Sequence, residues 1–129
     1  MRIVGLLAVA TASCGGGITD SGEDNQSPTV VVLSAPAVAA VALPVAFTVL
    51  ATDPNEAPGF LLERIIAQYG DGAVDTAFVG GDSTQVTFSH TYPTVGGRTV
   101  TFTAEDLEGL SGQTSTAISI IQPDPAVAP

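Results

Sequence analysis

Lysine is absent from this 129-residue chain, and its only basic side chains are Arg2, Arg64 and Arg98. Thirteen acidic residues oppose these three, so the formal net charge at pH 7 is −10. Nucleic-acid binding depends on Lys and Arg neutralising phosphates, and the composition therefore excludes a nucleic-acid partner. An anionic membrane surface would repel the chain for the same reason. The acids either keep the protein soluble and monomeric or include ligands of a divalent cation.

The side chains that usually carry catalysis are also scarce. Tryptophan is absent, and histidine, cysteine and methionine each occur once. His90 with Ser89 or Ser111 and an aspartate would form a hydrolase triad only in a geometry and a pocket that no motif here indicates. The sequence also contains no EF-hand loop, zinc-type Cys/His spacing or Gly-rich phosphate loop. We therefore predict a protein that is not an enzyme and uses no cofactor, with Ca²⁺ as the one candidate metal ion.

The first thirteen residues have the pattern of a secretory signal peptide. Met1 and Arg2 give a short positive start, and residues 3–12 form an apolar run. A membrane-spanning helix needs about twenty apolar residues, roughly twice the length of this run. A short positive region, an apolar core and small residues before a cleavage point are typical of an exported protein. We predict that residues 1–13 direct export and are then removed.

Cys14 is the candidate for a membrane attachment site. The small residues Thr11, Ala12 and Ser13 lead directly into it, and Gly15 follows. This arrangement resembles a lipobox, the site at which the cysteine of a bacterial lipoprotein becomes its lipidated first residue. The resemblance implies a lipid anchor at Cys14. Since Gly15 replaces the aspartate that often marks inner-membrane retention in lipoproteins, it also implies an address at the outer membrane or the cell surface.

Residues 14–27 are predicted to form a flexible tether, because this stretch is polar, Gly-rich and nearly free of hydrophobic side chains. Residues 123–129, PDPAVAP, form a Pro-rich tail without a strand pattern. The folded domain is therefore expected over residues 28–122.

Short runs with the alternation of β-strands fill this domain, and turn residues separate them. The predicted strands are Thr29–Ser34, Pro44–Thr52, Leu62–Tyr69, Val74–Val79, Thr84–Ser89, Thr99–Glu105 and Gln113–Ile121. Seven strands with turns between them predict an all-β, two-sheet antiparallel sandwich.

One segment allows a second interpretation. Residues 59–68, GFLLERIIAQ, place Leu62, Ile65 and Ile66 on one stripe of a short helix. The Asp71–Gly72 turn that follows is typical of a hairpin and requires a strand before it. We therefore predict a strand in this segment.

Two stretches carry a family resemblance. Residues 67–72, AQYGDG, resemble the WDFGDG signature of polycystic-kidney-disease (PKD) domains, and residues 90–106, HTYPTVGGRTVTFTAED, resemble the family pattern HTY-x₃-G-x-Y-T-V-x-L-x-V-x-D. The sequence TDP at residues 52–54 fits the acidic loop before the third strand of the family. The resemblance implies an immunoglobulin-like β-sandwich over most of the domain.

The chain departs from the family pattern at three positions. Ala67 stands where the family has Trp, Gln68 where it has Asp, and Arg98 where it has a second Tyr. A large aromatic side chain is therefore missing from the core. We expect the aromatic side chains that remain to carry more of the packing, namely Phe47, Phe88 and Phe102.

The resemblance also implies structural roles for the motif residues. They are Tyr69, Gly70, Asp71, Gly72, His90, Tyr92 and Gly96. The His-Thr-Tyr sequence would lie at a strand-to-strand corner, with Tyr92 packed there and hydrogen-bonded to backbone, much as in a tyrosine corner. Asp71 would cap its own turn.

A Ca²⁺ site is the alternative role for some of the acids. Ca²⁺ takes six to eight oxygen ligands at ~2.4 Å. Asp53, Asn55 and Glu56 share one loop, and the sandwich would bring Asp71 and Asp106 near it. Some PKD-type modules of secreted proteases bind calcium in this area, so the resemblance implies the same candidate ligands here.

These observations leave two hypotheses for function. The first is a non-catalytic extracytoplasmic binding or spacer module that contacts protein or polysaccharide at the cell envelope. Its exposed threonine faces would then be either a flat binding surface or simply a solvated sheet. The alternative is a Ca²⁺-stabilised adhesion or matrix component that self-associates through sheet edges.

Overall fold

The computed structural model describes residues 24–55 and 57–123, and β-strands dominate this part of the chain. The strands are β1 (Thr29–Ser34), β2 (Val38–Ala40), β3 (Pro44–Thr52), β4 (Leu62–Gln68), β5 (Val74–Phe78), β6 (Ser83–Thr91), β7 (Gly96–Asp106) and β8 (Ser111–Ile121). One 3₁₀ turn, Pro58–Phe60, precedes β4. The prediction of an all-β chain is confirmed. No helix in the described ranges is long and apolar enough to span a membrane.

The strands form two sheets. One has the order β1-β3-β6, and the other has the order β2-β8-β7-β4-β5. All neighbouring strands are antiparallel except β2 and β8, which run parallel over three residue pairs. The two sheets enclose one core and make an immunoglobulin-like sandwich, as predicted.

The ambiguous segment before the Asp-Gly turn is a strand, and its helix-like spacing has a structural cause. Leu62 and Ile65 both face the core although they are three residues apart. The pairing of β4 with β7 shifts between Leu62 and Arg64, which is the signature of a β-bulge. The extra residue moves the alternation by one position, so a bulged strand shows the spacing of a helix.

Strand β2 was not predicted. It has only three residues, Val38–Ala40, within the uniform stretch AVAAVAL. Three residues are too few to show an alternating pattern, and the strand exists because its backbone pairs with Ser119–Ile121 of β8. A pairing partner eighty residues away leaves no local signal.

The core lies between the sheets and has the composition that the departures from the family pattern predict. Ala67 is buried at the position where the family has tryptophan. Phe47 and Phe88 each pack on Phe102, with ring centroids 5.9 Å apart in both pairs. Burying such a ring typically stabilises a fold by about 1.5–3 kcal/mol. These three buried rings therefore form an aromatic cluster in the core.

The antiparallel register defines two ends of the sandwich. At one end the turn 69–73 lies beside residues 90–92, and we call this the Gly-Asp-Gly end. At the other end β3 finishes at Thr52 and β7 at Asp106, close to the incoming chain at residues 24–28, and we call this the acidic end.

Candidate functional site

The acidic end buries three of the predicted site residues. Asp53 follows the last residue of β3, Asn55 lies two residues later, and Asp106 ends β7. Asp53 is 3% exposed, and Asn55 and Asp106 are completely buried. Charged side chains are almost never this deeply buried unless they have partners, so the environment of each oxygen atom matters here.

Asp53 and Asn55 organise the loop after β3. Asp53 Oδ1 accepts a hydrogen bond of 2.8 Å from the Asn55 N–H. The Asn55 side chain holds the incoming chain, because its Oδ1 accepts from the Gln26 N–H at 2.7 Å and its Nδ2 donates to the Asp24 carbonyl at 3.0 Å. Asn55 therefore ties the start of the domain to the end of β3.

Asp106 closes the turn between β7 and β8. Its Oδ1 accepts hydrogen bonds of 2.9 Å from the N–H groups of both Glu108 and Leu110. This is the turn-capping geometry in which an aspartate replaces backbone acceptors. The side chain is therefore held in place from one side only.

The second oxygen of each aspartate has no such partner. Asp53 Oδ2 and Asp106 Oδ2 are buried without a hydrogen-bond partner among the described residues, and so are both polar atoms of the Asn25 side chain. A buried carboxylate oxygen without a partner lowers stability, because water no longer solvates it. The arrangement suits a hard cation, which prefers such oxygens. In the described ranges no three His, Cys, Asp or Glu side chains group together, so amide and carbonyl oxygens would have to complete the ligand set.

The predicted metal set of Asp53, Asn55, Asp71 and Asp106 is wrong in one member. Asp71 bonds to His90, and His90 pairs with Val45 near the start of β3, whereas Asp53 follows the end of that strand. Eight residues of extended chain separate Val45 from Asp53, which is roughly 26 Å. The sequence order suggested a cluster because both loops are acidic, but the strand between them spans the whole sandwich.

At the Gly-Asp-Gly end both oxygens of Asp71 are bonded. Oδ1 accepts from the Ala73 N–H at 3.0 Å, which confirms the predicted turn cap, and Oδ2 lies 2.7 Å from His90 Nε2. Burial raises the pKa of the Asp71 carboxyl, but the hydrogen bonds from His90 and Ala73 outweigh that effect and hold the pKa below its usual range. The aspartate thus stays ionised against a donor on each side.

The His90 ring lies between two tyrosines. It stacks on Tyr69 with centroids 4.0 Å apart and meets the Tyr92 ring edge-on at 4.6 Å. The Tyr92 hydroxyl donates to the Tyr69 carbonyl at 2.8 Å, which confirms the predicted backbone bond at this corner. The Tyr69 hydroxyl donates to Asp75 Oδ2 at 2.6 Å. Burial raises the pKa of Tyr92 to about 12 and that of Tyr69 further, so both hydroxyls remain donors.

The glycines of the motif have backbone conformations that favour glycine. Gly70, Gly72 and Gly96 have φ values of +86°, +96° and +137°. At Gly70 there is also no room for a side chain, since a Cβ would lie 2.6 Å from the Thr99 carbonyl oxygen. The motif residues therefore build a rigid corner, and His90 is engaged by an aspartate and two rings. Ser111 begins β8 at the opposite end of the sandwich.

The exposed threonine faces that the sequence predicts as a possible binding surface belong to a wider surface of the structure. The outward side chains of β5, β4, β7 and β8 form cross-strand rows on the five-stranded sheet, which we call the outer face. Its rows are Phe78–Arg64–Glu105, Thr76–Ile66–Thr103–Gln113 and Val74–Gln68–Thr101–Ser115. The Arg64 Nε donates to Glu105 at 2.6 Å, and the hydroxyls of Thr101 and Ser115 lie 3.0 Å apart. Only the pairing of four strands assembles these rows.

The predicted lipidation site, Cys14, lies outside the described residues, as do residues 1–13 and the tail from residue 124. The predicted signal peptide and lipid anchor therefore remain predictions.

No family model matches this sequence, and no curated protein matches it. Solved structures do. The PKD domain of an M14-like peptidase from a Thermoplasmatales archaeon superposes with a TM-score of 0.67 at 20% identity, covering 77% of this chain and 100% of that domain. The PKD1 domain of Vibrio anguillarum Epp gives 0.54 at 19% identity, covering 78% of this chain and 100% of that domain.

A third similar structure comes from work on the promiscuous specificity of carbohydrate-binding modules of the β-sandwich superfamily, with a TM-score of 0.58 at 20% identity. It is matched over 78% of this chain and 36% of its own length. Identities this low establish the fold alone. The fold of this chain is that of a PKD-like domain of the immunoglobulin type.

Proposed function

We propose that this protein is a non-catalytic binding or spacer module of the bacterial cell envelope, anchored through a lipid on Cys14, and that it contacts polysaccharide with the outer face. The observation that carries the proposal is two cross-strand pairs of hydroxyl and amide groups, which lie in neighbouring rows of that face. The hydroxyl oxygens of Thr101 and Ser115 lie 3.0 Å apart, and Gln113 Nε2 donates to Thr103 Oγ1 at 3.3 Å. Groups held by neighbouring side chains lose little entropy when they bind a ligand.

The chemistry of the face fits a neutral, hydroxylated polymer. Side chains within a row lie about 4.8 Å apart across the strands, and the exposed Gln68, Gln113 and Ser115 offer both donors and acceptors. Its charged pair, Arg64 and Glu105, is mutually neutralised. The two ends of the sandwich, by contrast, use their polar groups internally or bury them. The carbohydrate-binding module that shares the fold supports polysaccharide as the first ligand class to test.

Two glutamines allow a matched test of the outer face. Gln68 is exposed on the outer face, and Gln85 is exposed on the three-stranded sheet. After a polysaccharide ligand has been found on a glycan array, Gln68→Ala should weaken its binding about tenfold, the effect of one lost hydrogen-bonding side chain. Gln85→Ala should leave binding unchanged. Equal binding by both variants and the wild type would contradict the outer face as the binding surface.

The anchor is tested separately from the ligand. Cells that express the wild type and Cys14→Ala are labelled with a palmitate analogue, and the protein is then isolated. The wild type should incorporate the label and the variant should not. Equal labelling of the two would overturn the lipid anchor and leave the binding surface untouched.

The second candidate function is a Ca²⁺-stabilised adhesion or matrix component that self-associates through sheet edges. The buried Oδ2 atoms of Asp53 and Asp106, which have no partner in the described part of the chain, favour the calcium site. A bound Ca²⁺ would neutralise the two carboxylates, and Asn25 and backbone carbonyls could supply further oxygens. The chain's own residues already hold the first oxygen of each aspartate, so the second oxygens are fixed in direction. Calorimetric titration with Ca²⁺ tests the site, and no heat at millimolar Ca²⁺ would overturn it.

A further inference from the structure

Strand β5 is an edge of the five-stranded sheet, and its free side is unusually well suited to pairing. The hydrogen bonds from the Val79 N–H to the Glu63 carbonyl, 2.9 Å, and from the Tyr69 N–H to the Ala73 carbonyl, 3.1 Å, fix which backbone groups face β4. Bonded pairs alternate along an antiparallel ladder, so residues 75 and 77 also bond to β4. The backbone groups of Val74, Thr76 and Phe78 therefore point away from the sheet.

The same three residues have exposed side chains. Phe78 is 74% exposed and Val74 is 53% exposed, which are high values for apolar side chains in a strand. Of the alternate residues, Ala77 packs against the core, and the exposed Asp75 accepts the Tyr69 hydroxyl. No described strand pairs with the outer side of β5, so this edge combines apolar side chains with backbone donors and acceptors that no described strand bonds.

The other edges of the sandwich are less able to pair. Strand β1 has an irregular register with a bulge between Val32 and Ser34, and β2 has three residues. Strand β6 is long, but its exposed side chains are polar, including Gln85 and Thr87. Natural proteins protect edges with bulges, short strands, prolines or charges, including charges that point inward. In β5, VDTAF, the single charge is Asp75, whose Oδ2 accepts the Tyr69 hydroxyl, and Val74, Thr76 and Phe78 carry no such protection.

The order of residues in β5 makes the edge complementary to itself. If two copies pair antiparallel about Thr76, that residue faces Thr76 of the other copy, and Val74 faces Phe78. All three positions carry outward backbone groups, so about six hydrogen bonds form. An apolar–aromatic pair lies on each side of a threonine pair, and both combinations are favourable across strands. The acidic Asp75 faces Ala77, so no two carboxylates are placed opposite each other.

We infer that β5 is a dimerisation edge, which pairs antiparallel with β5 of a second copy and has Thr76 on the twofold axis. This inference rests on the second candidate function for self-association through sheet edges, and it supplies the strand and the register. The two outer faces become one continuous surface. Because each copy carries a net charge of −10, repulsion opposes pairing, and salt should strengthen it.

The test is sedimentation of the full chain over a range of concentrations, in reducing agent so that Cys14 cannot form a crosslink. The wild type should associate to twice the monomer mass, more tightly in 1 M than in 0.1 M NaCl. Thr76→Pro removes an N–H that faces outward, so the bonds to β4 remain while the free edge is blocked. This variant should raise the dissociation constant at least about tenfold, and Thr76→Ala, which keeps the N–H, should not. A wild type that is monomeric in 1 M NaCl, or a proline variant that associates equally, would overturn the inference.

A second pair of changes tests the register and covers the case in which the proline variant does not fold. Phe78→Glu alone should weaken the dimer. Adding Val74→Lys places an ammonium opposite the new carboxylate in both halves of the antiparallel pair and should restore association. No recovery in the double variant would overturn this register.

Each measurement is repeated with Ca²⁺ and with a chelator, and melting is recorded beside the mass. If the protein is a monomer and Ca²⁺ raises its melting temperature, the dimerisation edge is overturned and the calcium site is supported. A dimer whose melting ignores Ca²⁺ would support the edge and overturn the calcium site.

Discussion

The two ends of this sandwich handle buried polar groups in opposite ways. At the Gly-Asp-Gly end both oxygens of Asp71 and the hydroxyls of Tyr69 and Tyr92 have hydrogen-bond partners within the chain. At the acidic end Asp53 and Asp106 each bond one oxygen and bury the other without a partner among the described residues. The four Asp71 and tyrosine oxygens at the first end are bonded within the chain, although Arg98 Nε near them is also buried without a partner among the described residues. At the second end it is a carboxylate oxygen of each aspartate that lacks a described partner.

This difference shows that a conspicuous sequence motif can mark a structural corner and need not mark a binding site. The Gly-Asp-Gly and His-Thr-Tyr stretches look like a functional site because they hold the only histidine and both tyrosines. Their geometry shows a corner in which every group supports its neighbour. The acidic end has a weaker sequence signal, but two of its buried carboxylate oxygens have no hydrogen-bond partner among the described residues. Buried polar atoms of this kind are rare in folded proteins and call for an explanation.

The largest expected effect is at the Gly-Asp-Gly end. Gly70→Ala should destabilise the fold by about 3 kcal/mol, because an L-residue is strained at a positive φ and the new Cβ would collide with the Thr99 carbonyl. Gly72→Ala shares the positive φ but meets nothing within 4 Å, and should cost about half as much. Urea unfolding measures both. Equal losses would show that the close approach of the turn to β7 is unimportant.

The next effect tests whether the acidic end is incomplete. Ca²⁺ at about a hundredfold excess over its dissociation constant should stabilise the protein by about 2.7 kcal/mol. Asp53→Asn should abolish this gain while leaving stability in a chelator nearly unchanged, since Oδ1 can still accept from the Asn55 N–H. Melting curves with Ca²⁺ and with chelator provide the comparison.

The control for this experiment is Asp82→Asn, which removes the same charge from an exposed side chain at the same end. It should keep the full calcium response. If Asp82→Asn and Asp53→Asn lose the response alike, the effect comes from general acidity and not from a site.

A feature of this structure could be predicted from the sequence when residues close together in the chain determine it. Phe47 and Val49 lie two residues apart in β3 and are both buried, so their place in the core follows from the local alternation of a strand with one buried face. The turn cap of Asp71 was also local, as its partner Ala73 is two residues away.

Features that depend on contacts between residues distant in the chain could not be predicted from the sequence. The bond from His90 to Asp71 spans nineteen residues and depends on two sheets meeting. The separation of Asp71 from Asp53 follows from the direction in which β3 runs, which no local pattern encodes. The exposed edge at Phe78 is equally invisible, because alternation predicts which face a side chain takes and not whether a neighbouring strand covers it.

A smaller effect tests the charge of Asp71 at the Gly-Asp-Gly end. Asp71→Asn should destabilise the protein by about 2 kcal/mol at neutral pH, because the bond to His90 loses its ionic character while the cap on Ala73 survives. The folded-state pKa of Asp71 lies below the ordinary 3.8, so its contribution is present above pH 3.8 and is lost as the pH falls further. The wild type and the variant should therefore converge in acid. A gap that persists in strong acid would mean that the carboxylate charge is not its source.

The smallest effect concerns the tyrosine corner. Tyr92→Phe should cost about 1 kcal/mol at neutral pH, the net contribution of the bond to the Tyr69 carbonyl. In the wild type the pKa of Tyr92 rises from 10 to about 12 on folding, so stability is complete below pH 10 and is lost as the pH rises toward 12. The variant should lose less stability over that interval, because it keeps only Tyr69 to ionise. Urea unfolding at several pH values measures the difference, and parallel alkaline losses in the two proteins would show that Tyr92 is not the group whose buried hydroxyl resists ionisation.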